Sequence, residues 1–460
     1  MEYSEKEVKA VMWACYVSAF ITPLLSTMMN LSLVNIGEEF NVGSHDLAYV
    51  NSSFLLTSVI FMVPLAKRMD IIGKKKMFVI CLLIVAAGCI IGCLAPSFWV
   101  IILGRAIIGG GSAGLATVGM SILTDVIPIK KRGRALGYMT MCIYLGLSLG
   151  PAIGGILNDA IGWRLLFLIV LPLAFISIFI IMRGFKGEIA NDAGGEFDVK
   201  GSIVYGTAIL LAMGGIMNLP QIWAFISAVA GIILLFLFVY MQFHNPHCLL
   251  EMRLFRDRTF TGSSIATFMN YAASYCLSFF MALYLQSIGN LSATEAGLMM
   301  IIQPAVQCIF SPTFGRLTDK MTNKILLPTI GMAITAIGVL SVVFYDVDTP
   351  LYFVAATMVL VGFGFAMFSA PNTFVIMSSV PPEYSGEASG VASVMRQSGM
   401  MVSMGIAMVF ISTIMGSTDN LGPDTYDLFI QVIRYSFITC FVMCVIGTIT
   451  SAFRGKPKNF

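Results

Sequence analysis

The sequence predicts an all-α polytopic membrane protein with fourteen membrane-crossing helices. Three observations carry this. First, the 460 residues are 58% hydrophobic and only 11% charged, whereas a soluble domain averages about 25% charged; this chain cannot solvate a globular surface. Second, apolar stretches of spanning length recur along its whole length. Third, lysine and arginine are concentrated in alternate connections between those stretches.

The apolar segments start near residues 10, 47, 77, 98, 135, 163, 200, 221, 259, 296, 324, 350, 386 and 427. Each is about 19 to 28 residues long, enough to cross roughly 30 Å of hydrocarbon with some tilt. The seventh and eighth are separated only by Leu219-Pro220-Gln221. The first, from about Ala10 to Leu33, is too long for the apolar part of a signal peptide and has no evident cleavage site, so it is expected to remain as a helix.

Charge then orients the chain. The connections after even-numbered segments hold Lys67, Arg68, Lys74, Lys75 and Lys76, then Lys130, Lys131, Arg132 and Arg134, then Arg183, Lys186 and Lys200. Later ones hold Arg253, Arg256 and Arg258, then Arg316, Lys320 and Lys324, while the termini hold Lys6, Lys9, Arg454, Lys456 and Lys458. The connections after odd-numbered segments hold only Arg164. Positive loops stay on the cytoplasmic side, so both termini are expected there. The overall charge of +3 matters less than this distribution.

A repeat is visible. Ala66-Lys-Arg-Met-Asp70-Ile-Ile-Gly73-Lys74-Lys75 follows the second segment, and Gly315-Arg316-Leu-Thr-Asp319-Lys-Met-Thr-Asn-Lys324 follows the tenth. Eight segments separate the two aspartates. A six-plus-six repeat would separate them by six, so two extra helices are expected between two six-helix halves, behind a polar loop from Gly187 to Lys200. The expected division is residues 1–186, a linker with two helices over 187–245, and 246–460. Parallel repeats with a site between them are a transporter signature.

Ionisable residues inside apolar segments mark candidate function. Arg105 lies about seven residues, roughly 10 Å, into the fourth segment; it reads as a transport residue or as a hydrogen-bond donor to the first helix. Arg396, with Gln397 beside it, lies near mid-depth of the thirteenth segment, and Arg434 sits close enough to the outer end of the fourteenth to snorkel. Asp46, Asp159 and Glu295 fall at outer ends and Asp125 at an inner end, so no carboxylate is expected at mid-depth. A cavity of this kind favours neutral or anionic amphiphiles. Asn30, Arg105, Asn270, Tyr271, Tyr275, Gln303, Asn372, Arg396 and Gln397 are the expected lining. The 31 methionines and 34 phenylalanines suit a site that re-packs around varied ligands, although most must serve ordinary packing.

Asp70 interrupts a basic run and Asp319 repeats it, so these residues with Gly73, Lys74, Lys75, Asp125, Arg132 and Gly315 are read as an ion-pair latch rather than a solvated loop. Of ten cysteines, the pairs Cys89/Cys93 and Cys440/Cys444 share helix faces, and most of the others also lie in apolar runs. They read as small apolar side chains, not as disulfides or a metal site. His244-Asn-Pro-His247-Cys248 reads as an interfacial loop without enough ligands for a metal.

The fifth segment carries Gly146-Leu-Ser-Leu-Gly150-Pro151-Ala-Ile-Gly154-Gly155. Small residues every fourth position leave one helix face open to close approach, and Pro151 removes a backbone hydrogen bond. This string resembles the antiporter motif on the fifth helix of major facilitator superfamily (MFS) exporters. Further stretches extend the resemblance over nearly the whole chain, to the fourteen-helix drug:proton antiporter branch. Asp70-x-x-Gly73-Lys74-Lys75 resembles the gating loop, and Leu103-Gly-Arg105-Ala-Ile-Ile-Gly109 the arginine motif of helix 4. Trp163-Arg164 through Pro172 resembles the start of helix 6, Arg253 through Phe260 the lead-in to helix 9, and Arg396-Gln397-Ser-Gly399 helix 13. The chain departs from the branch at Ala66, Arg68 and Thr322, and at Leu25, where an aspartate often precedes the asparagine aligned with Asn30.

The resemblance implies a monomeric, multi-pass protein of a prokaryotic inner membrane, with an MFS fold of two pseudo-symmetric bundles. It implies export of small molecules by proton-coupled antiport and alternating access. No cofactor, nucleic acid or metal is expected, and no G-x-x-x-x-G-K-[ST] run is present to bind ATP. A facilitator or importer of a small metabolite is the alternative. With three histidines (His45, His244 and His247), a membrane-embedded enzyme is not expected.

Overall fold

The computed structural model describes residues 3–42, 44–190, 192, 194–218, 221–245, 248–250, 252–291, 293–415 and 425–455. Of the residues singled out above, Leu219, Pro220, Pro246, His247, Lys456 and Lys458 lie outside these, and so do the side chains of Asn30, His45, Asp46, Lys130, Pro151, Gly155 and Asp159.

The described residues are helical, with no strand. Helix α1 (Glu5–Met28) leads through a 3₁₀ turn into a short helix, α2 (Leu33–Phe40). There follow α3 (Ser44–Ile72), α4 (Lys74–Cys93), α5 (Phe98–Val126), α6 (Ile129–Ile161) and α7 (Trp163–Gly184). A pair of helices comes next, α8 (Val199–Met217) and α9 (Ile222–His244). The remainder is α10 (Arg258–Leu283), α11 (Ala293–Lys320), α12 (Leu326–Val342), α13 (Leu351–Ser378), α14 (Ser385–Phe410) and α15 (Tyr426–Ala452). Setting aside α2, fourteen long helices are present among the described residues, the number that the apolar segments predict. Twelve of the described helices are long and apolar enough to cross a membrane, and α12 is a shorter apolar helix.

Boundaries follow local chemistry. Asp257 accepts the N–H groups of Thr259 and Phe260 at 2.8 and 3.0 Å and so starts α10. Asp198 does the same for α8 through Gly201 N–H at 2.8 Å. Gly162, at φ +81°, turns α6 into α7 where no other residue would sit without strain. Helix α2 was not anticipated from the sequence. Glu39 near its end accepts hydrogen bonds from Trp163 Nε1 and Arg164 Nη1, both at 2.8 Å, and the Arg164 guanidinium holds the Glu39 carboxyl below the usual carboxylate range.

Packing sorts the helices into groups. Helix α1 lies against α6 and α7, while α5 lies against α3 and α4. Beyond α8 and α9, α10 lies against α14 and α15, and α13 against α11 and α12. The first and last sets meet along two seams, α6 with α11 and α3 with α14. Helices α8 and α9 pair with each other, and α8 also touches α3 and α14. On α9, Ile222, Phe225, Phe236 and Tyr240 are exposed, as apolar residues are on a lipid-facing helix.

Candidate functional site

A cavity lies between the two sets of helices. Its first wall is Met120 of α5 with Leu136, Met139, Thr140, Ile143 and Tyr144 of α6. Its second wall is Tyr271 of α10, Ser369 and Thr373 of α13, and Arg396 of α14. The lining therefore offers one guanidinium, five hydroxyls and an apolar face rich in methionine, with no carboxylate among these residues. The cavity is small in this structure, about 20 Å³, room for a single water, and any group that enters it meets hydrogen-bond donors and a positive charge. The Phe365 ring meets Tyr271 edge-on at 5.0 Å and Tyr144 at 6.4 Å, which fixes the two tyrosines across the cavity.

Of the expected lining, Tyr271 and Arg396 stand in this cavity. Tyr275, Gln303 and Gln397 are half-buried elsewhere on their helices. Arg105 does not line it. Arg105 is fully buried, and its Nε, Nη1 and Nη2 donate to Val50 carbonyl, Leu25 carbonyl and Asn51 Oδ1 at 3.1, 3.0 and 3.0 Å. Its guanidinium also lies 4.9 Å over the Phe54 ring. The position that lacks the branch's aspartate, Leu25, thus still receives the arginine through its backbone. Gly109, one helical turn on, brings α5 against α3, where Ser58 Oγ donates to the Gly109 carbonyl at 3.0 Å.

Asn270 and Asn372 are likewise buried and do not line the cavity. Asn372 Nδ2 donates to Ser263 carbonyl and Thr267 Oγ1 at 3.0 and 2.8 Å, and its Oδ1 accepts from Arg454 Nη1. Arg454 also donates to Ser263 Oγ at 2.9 Å, and burial lowers its pKa to about 9. Arg434 is exposed. No group of three or more His, Cys, Asp or Glu able to hold a metal occurs among the described residues.

Below the cavity, at the lysine-rich end of the molecule, the two seams are shut. Lys74 is fully buried. Its ammonium lies 3.5 Å from Asp70, forms an ion pair with Asp125, and donates to Ser385 Oγ of α14 at 3.0 Å. Ser385 in turn is 3.3 Å from Ser121 Oγ, and Ser389 Oγ donates to Thr117 carbonyl at 3.0 Å. Across the other seam, Asp319 accepts the backbone N–H groups of Gly133 and Arg134 at 3.0 and 2.9 Å. Gly315 faces Gly133 and Gly137 there with backbone against backbone. Arg132 Nε donates to Ile127 carbonyl at 3.2 Å. Arg68 does not pair with Asp70; it lies 5.1 Å over the Phe197 ring.

Residues that the sequence reading passed over complete this closure. Lys67 lies 3.8 Å from Glu387 of α14. Ser385 and Glu387 belong to a Ser-Gly-Glu run at the first turn of α14, and that run was the available signal. The cavity hydroxyls Thr140, Ser369 and Thr373 gave no comparable signal, because single hydroxyls in apolar helices are common and bond to their own backbone.

The fifth-helix glycines lie on α6 facing α1. A Cβ at Gly146 would press on Phe20 carbonyl, at Gly150 on Thr27 Oγ1, and at Gly154 on Met28 carbonyl.

Comparison with known proteins agrees with this picture. The chain is 23% identical over 440 residues to the riboflavin transporter RibZ of Clostridioides difficile, covering 95% of each protein. It is 27% identical over 397 residues to the multidrug resistance protein Stp of Mycobacterium tuberculosis, covering 84% of this chain and 73% of that one. The crystal structure of the human organic anion transporter MFSD10 (TETRAN) superposes with a TM-score of 0.69, covering 98% of this chain and all of that one at 12% identity, a likeness of fold. The sequence profile of the Major Facilitator Superfamily matches residues 15–248 and 263–459, and the chain belongs to that family of membrane transporters.

Proposed function

We propose that the chain is a secondary active exporter of small neutral or anionic amphiphiles, driven by proton antiport. The observation that carries this reading is the cavity shared by α5, α6, α10, α13 and α14, with Arg396 as its charge and no carboxylate in its lining. A guanidinium in a low-dielectric cavity attracts anions and acceptor-rich neutral groups and repels organic cations. The methionines Met120 and Met139 supply a deformable apolar wall.

In this reading the chain is a monomer of the fourteen-helix drug:proton antiporter branch in a cell (inner) membrane, arranged as six helices, two extra and six. Its lysine-rich end faces the cytoplasm. Alternating access rocks α1–α7 against α10–α15. The ion pairs around Lys74 and the clamp on Asp319 hold the cytoplasmic side shut, and the glycine face of α6 against α1 is the antiporter element. The likeness to a protein named for multidrug resistance supports export. A second reading, a metabolite carrier without antiport, is favoured by the likeness to a riboflavin transporter over 95% of both chains.

The test uses purified protein in liposomes with an imposed pH gradient, beside protein-free liposomes. Accumulation of a lipophilic weak acid is compared with that of a cationic dye and of riboflavin. The proposed function expects gradient-driven weak-acid transport that falls about tenfold or more in Arg396→Ala, the loss expected when one charge-assisted contact is removed. Accumulation of the cation instead overturns the cavity-charge argument. Riboflavin counterflow indifferent to the gradient favours the second reading.

A further inference from the structure

Between α7 and α8, residues 185–190, 192 and 194–198 are described, and Glu188, Ile189 and Asp192 among them lie against the turn joining α3 to α4. Helix α4 follows Gly73, which offers it no side-chain cap. The first N–H groups of a helix have no acceptors within it. Here the segment supplies them. Lys74 N–H donates to Ile189 carbonyl at 2.8 Å, and the N–H groups of Lys75 and Lys76 donate to the two Glu188 carboxylate oxygens at 2.7 and 3.1 Å. Gly73 stands at φ +111°, and a Cβ there would overlap the Glu188 side chain, so both the backbone and the neighbour demand glycine.

Further along, Asp192 N–H donates to the Asp70 carbonyl at 2.9 Å, and the Asp192 carboxylate pairs with Lys67 at 3.1 Å. Both ends of the segment are anchored. Phe185 is fully buried and its carbonyl accepts from Lys75 Nζ, while Asp198 caps α8 and accepts from Gln242 of α9 at 3.1 Å. Helix α8 then touches both sides of a seam: Tyr205 OH donates to Val59 carbonyl of α3 at 3.1 Å, and Ile216 meets Gly405 of α14.

Lys67 therefore stands between two carboxylates of different origin. Asp192 is tied to its own helix group, and Glu387 belongs to the opposite one. We infer that the segment is a strap that sets the open–closed balance of the gate, with Glu188 and Asp192 as its positioning residues. Glu188 fixes the start of α4 and with it Lys74. Asp192 keeps Lys67 partnered when α14 withdraws Glu387, so opening does not strand a lysine ammonium. Without Asp192, Lys67 loses its nearest carboxylate and leans more on Glu387, so the closed state gains.

This inference rests on the proposed reading that the lysine-rich end opens and closes. The experiment separates the two. Spin labels on the lysine-rich ends of α3 and α14 report the gate distance, and liposome transport reports turnover. Asp192→Asn is expected to shift the distances toward the short population and lower turnover about threefold with unchanged KM, the size that a partly exposed ion pair carries. Asp192→Glu restores both, and Asp192→Ser replaces the asparagine variant should that variant not express. Glu188→Gln is expected to speed hydrogen exchange at the amides of Lys74, Lys75 and Lys76. Asp70→Asn is run alongside. If Asp70→Asn alters distance and turnover while Asp192→Asn alters neither, the strap is only a connector and the inference falls. If neither variant alters either quantity, the gate reading itself falls and takes the strap with it.

Discussion

Arg105 commits its donors to neighbouring helices rather than to a ligand. Its three hydrogen bonds reach α1 and α3 from α5, so one fully buried side chain ties three helices together. Hydrogen bonds from a charged donor are worth about 1.5–3 kcal/mol each, and they are not additive. Arg105→Ala is therefore expected to lower the melting temperature of the purified protein markedly. Arg105→Lys should recover only part, since an ammonium lacks the planar fork that reaches separate acceptors. A normal melting temperature in Arg105→Ala together with lost transport would instead make Arg105 a ligand-handling residue. The sequence made it legible that an arginine sits inside a helix, and its reading as a donor to the first helix is what the Leu25 contact shows. The partners on α3, Val50 and Asn51, were not legible, because they depend on the rotation of α5 against α3. Asn372 is the same case: its polarity was plain, but its partner, Arg454, lies 82 positions away in the chain.

At the scale of elements, the glycines of α6 show what a spacing rule does carry. Gly146, Gly150 and Gly154 fall on one face, and the structure puts α1 on that face at Phe20, Thr27 and Met28. Only the partner was missing from the sequence, since a four-residue period names a face and not the neighbour that covers it. Gly150→Val would force a branched side chain onto Thr27. Overpacking of this kind costs about 1–3 kcal/mol, so the melting temperature and transport should both fall. Gly214→Ala on α8, where a Cβ would meet nothing within 4 Å, is the matched control and should leave the melting temperature unchanged or slightly raised. Equal effects of the two substitutions would show that the α1–α6 contact is slack. Helix number and order were legible because each apolar run is bounded by basic residues, proline or glycine. Helix α2 was not, because its eight residues make no run of spanning length.

Over the whole molecule, the repeat of Asp70 and Asp319 becomes the same contact made twice. Asp70, near the end of α3, lies against Gly386 in the first turn of α14, and Asp319, near the end of α11, lies against Gly133 near the start of α6. A Cβ on either glycine would run into the aspartate carboxylate. Each seam thus brings a carboxylate to the beginning of a helix from the opposite group, where the helix dipole and free N–H groups favour negative charge. The sequence showed the two aspartates and their spacing, but not that each reaches across to the other half, because the glycines that receive them are ordinary until the seam exists. The seams are not equal in detail. Asp70 shares its neighbourhood with Lys74 and Asp125, whereas Asp319 takes two backbone N–H groups of α6 directly. Asp319→Asn removes the charge and one acceptor from that clamp while keeping its volume. A loss of about 1–2 kcal/mol moves a two-state ratio roughly five- to thirtyfold. Fluorescence transfer between labels on the lysine-rich ends of α6 and α11 should therefore show a longer-distance population growing by that order, with protein abundance unchanged. Transport should slow, because a gate that no longer closes firmly lets the cavity fall back toward the same side. An unchanged distance distribution in a well-folded Asp319→Asn protein would mean that the glycine contacts alone hold this seam.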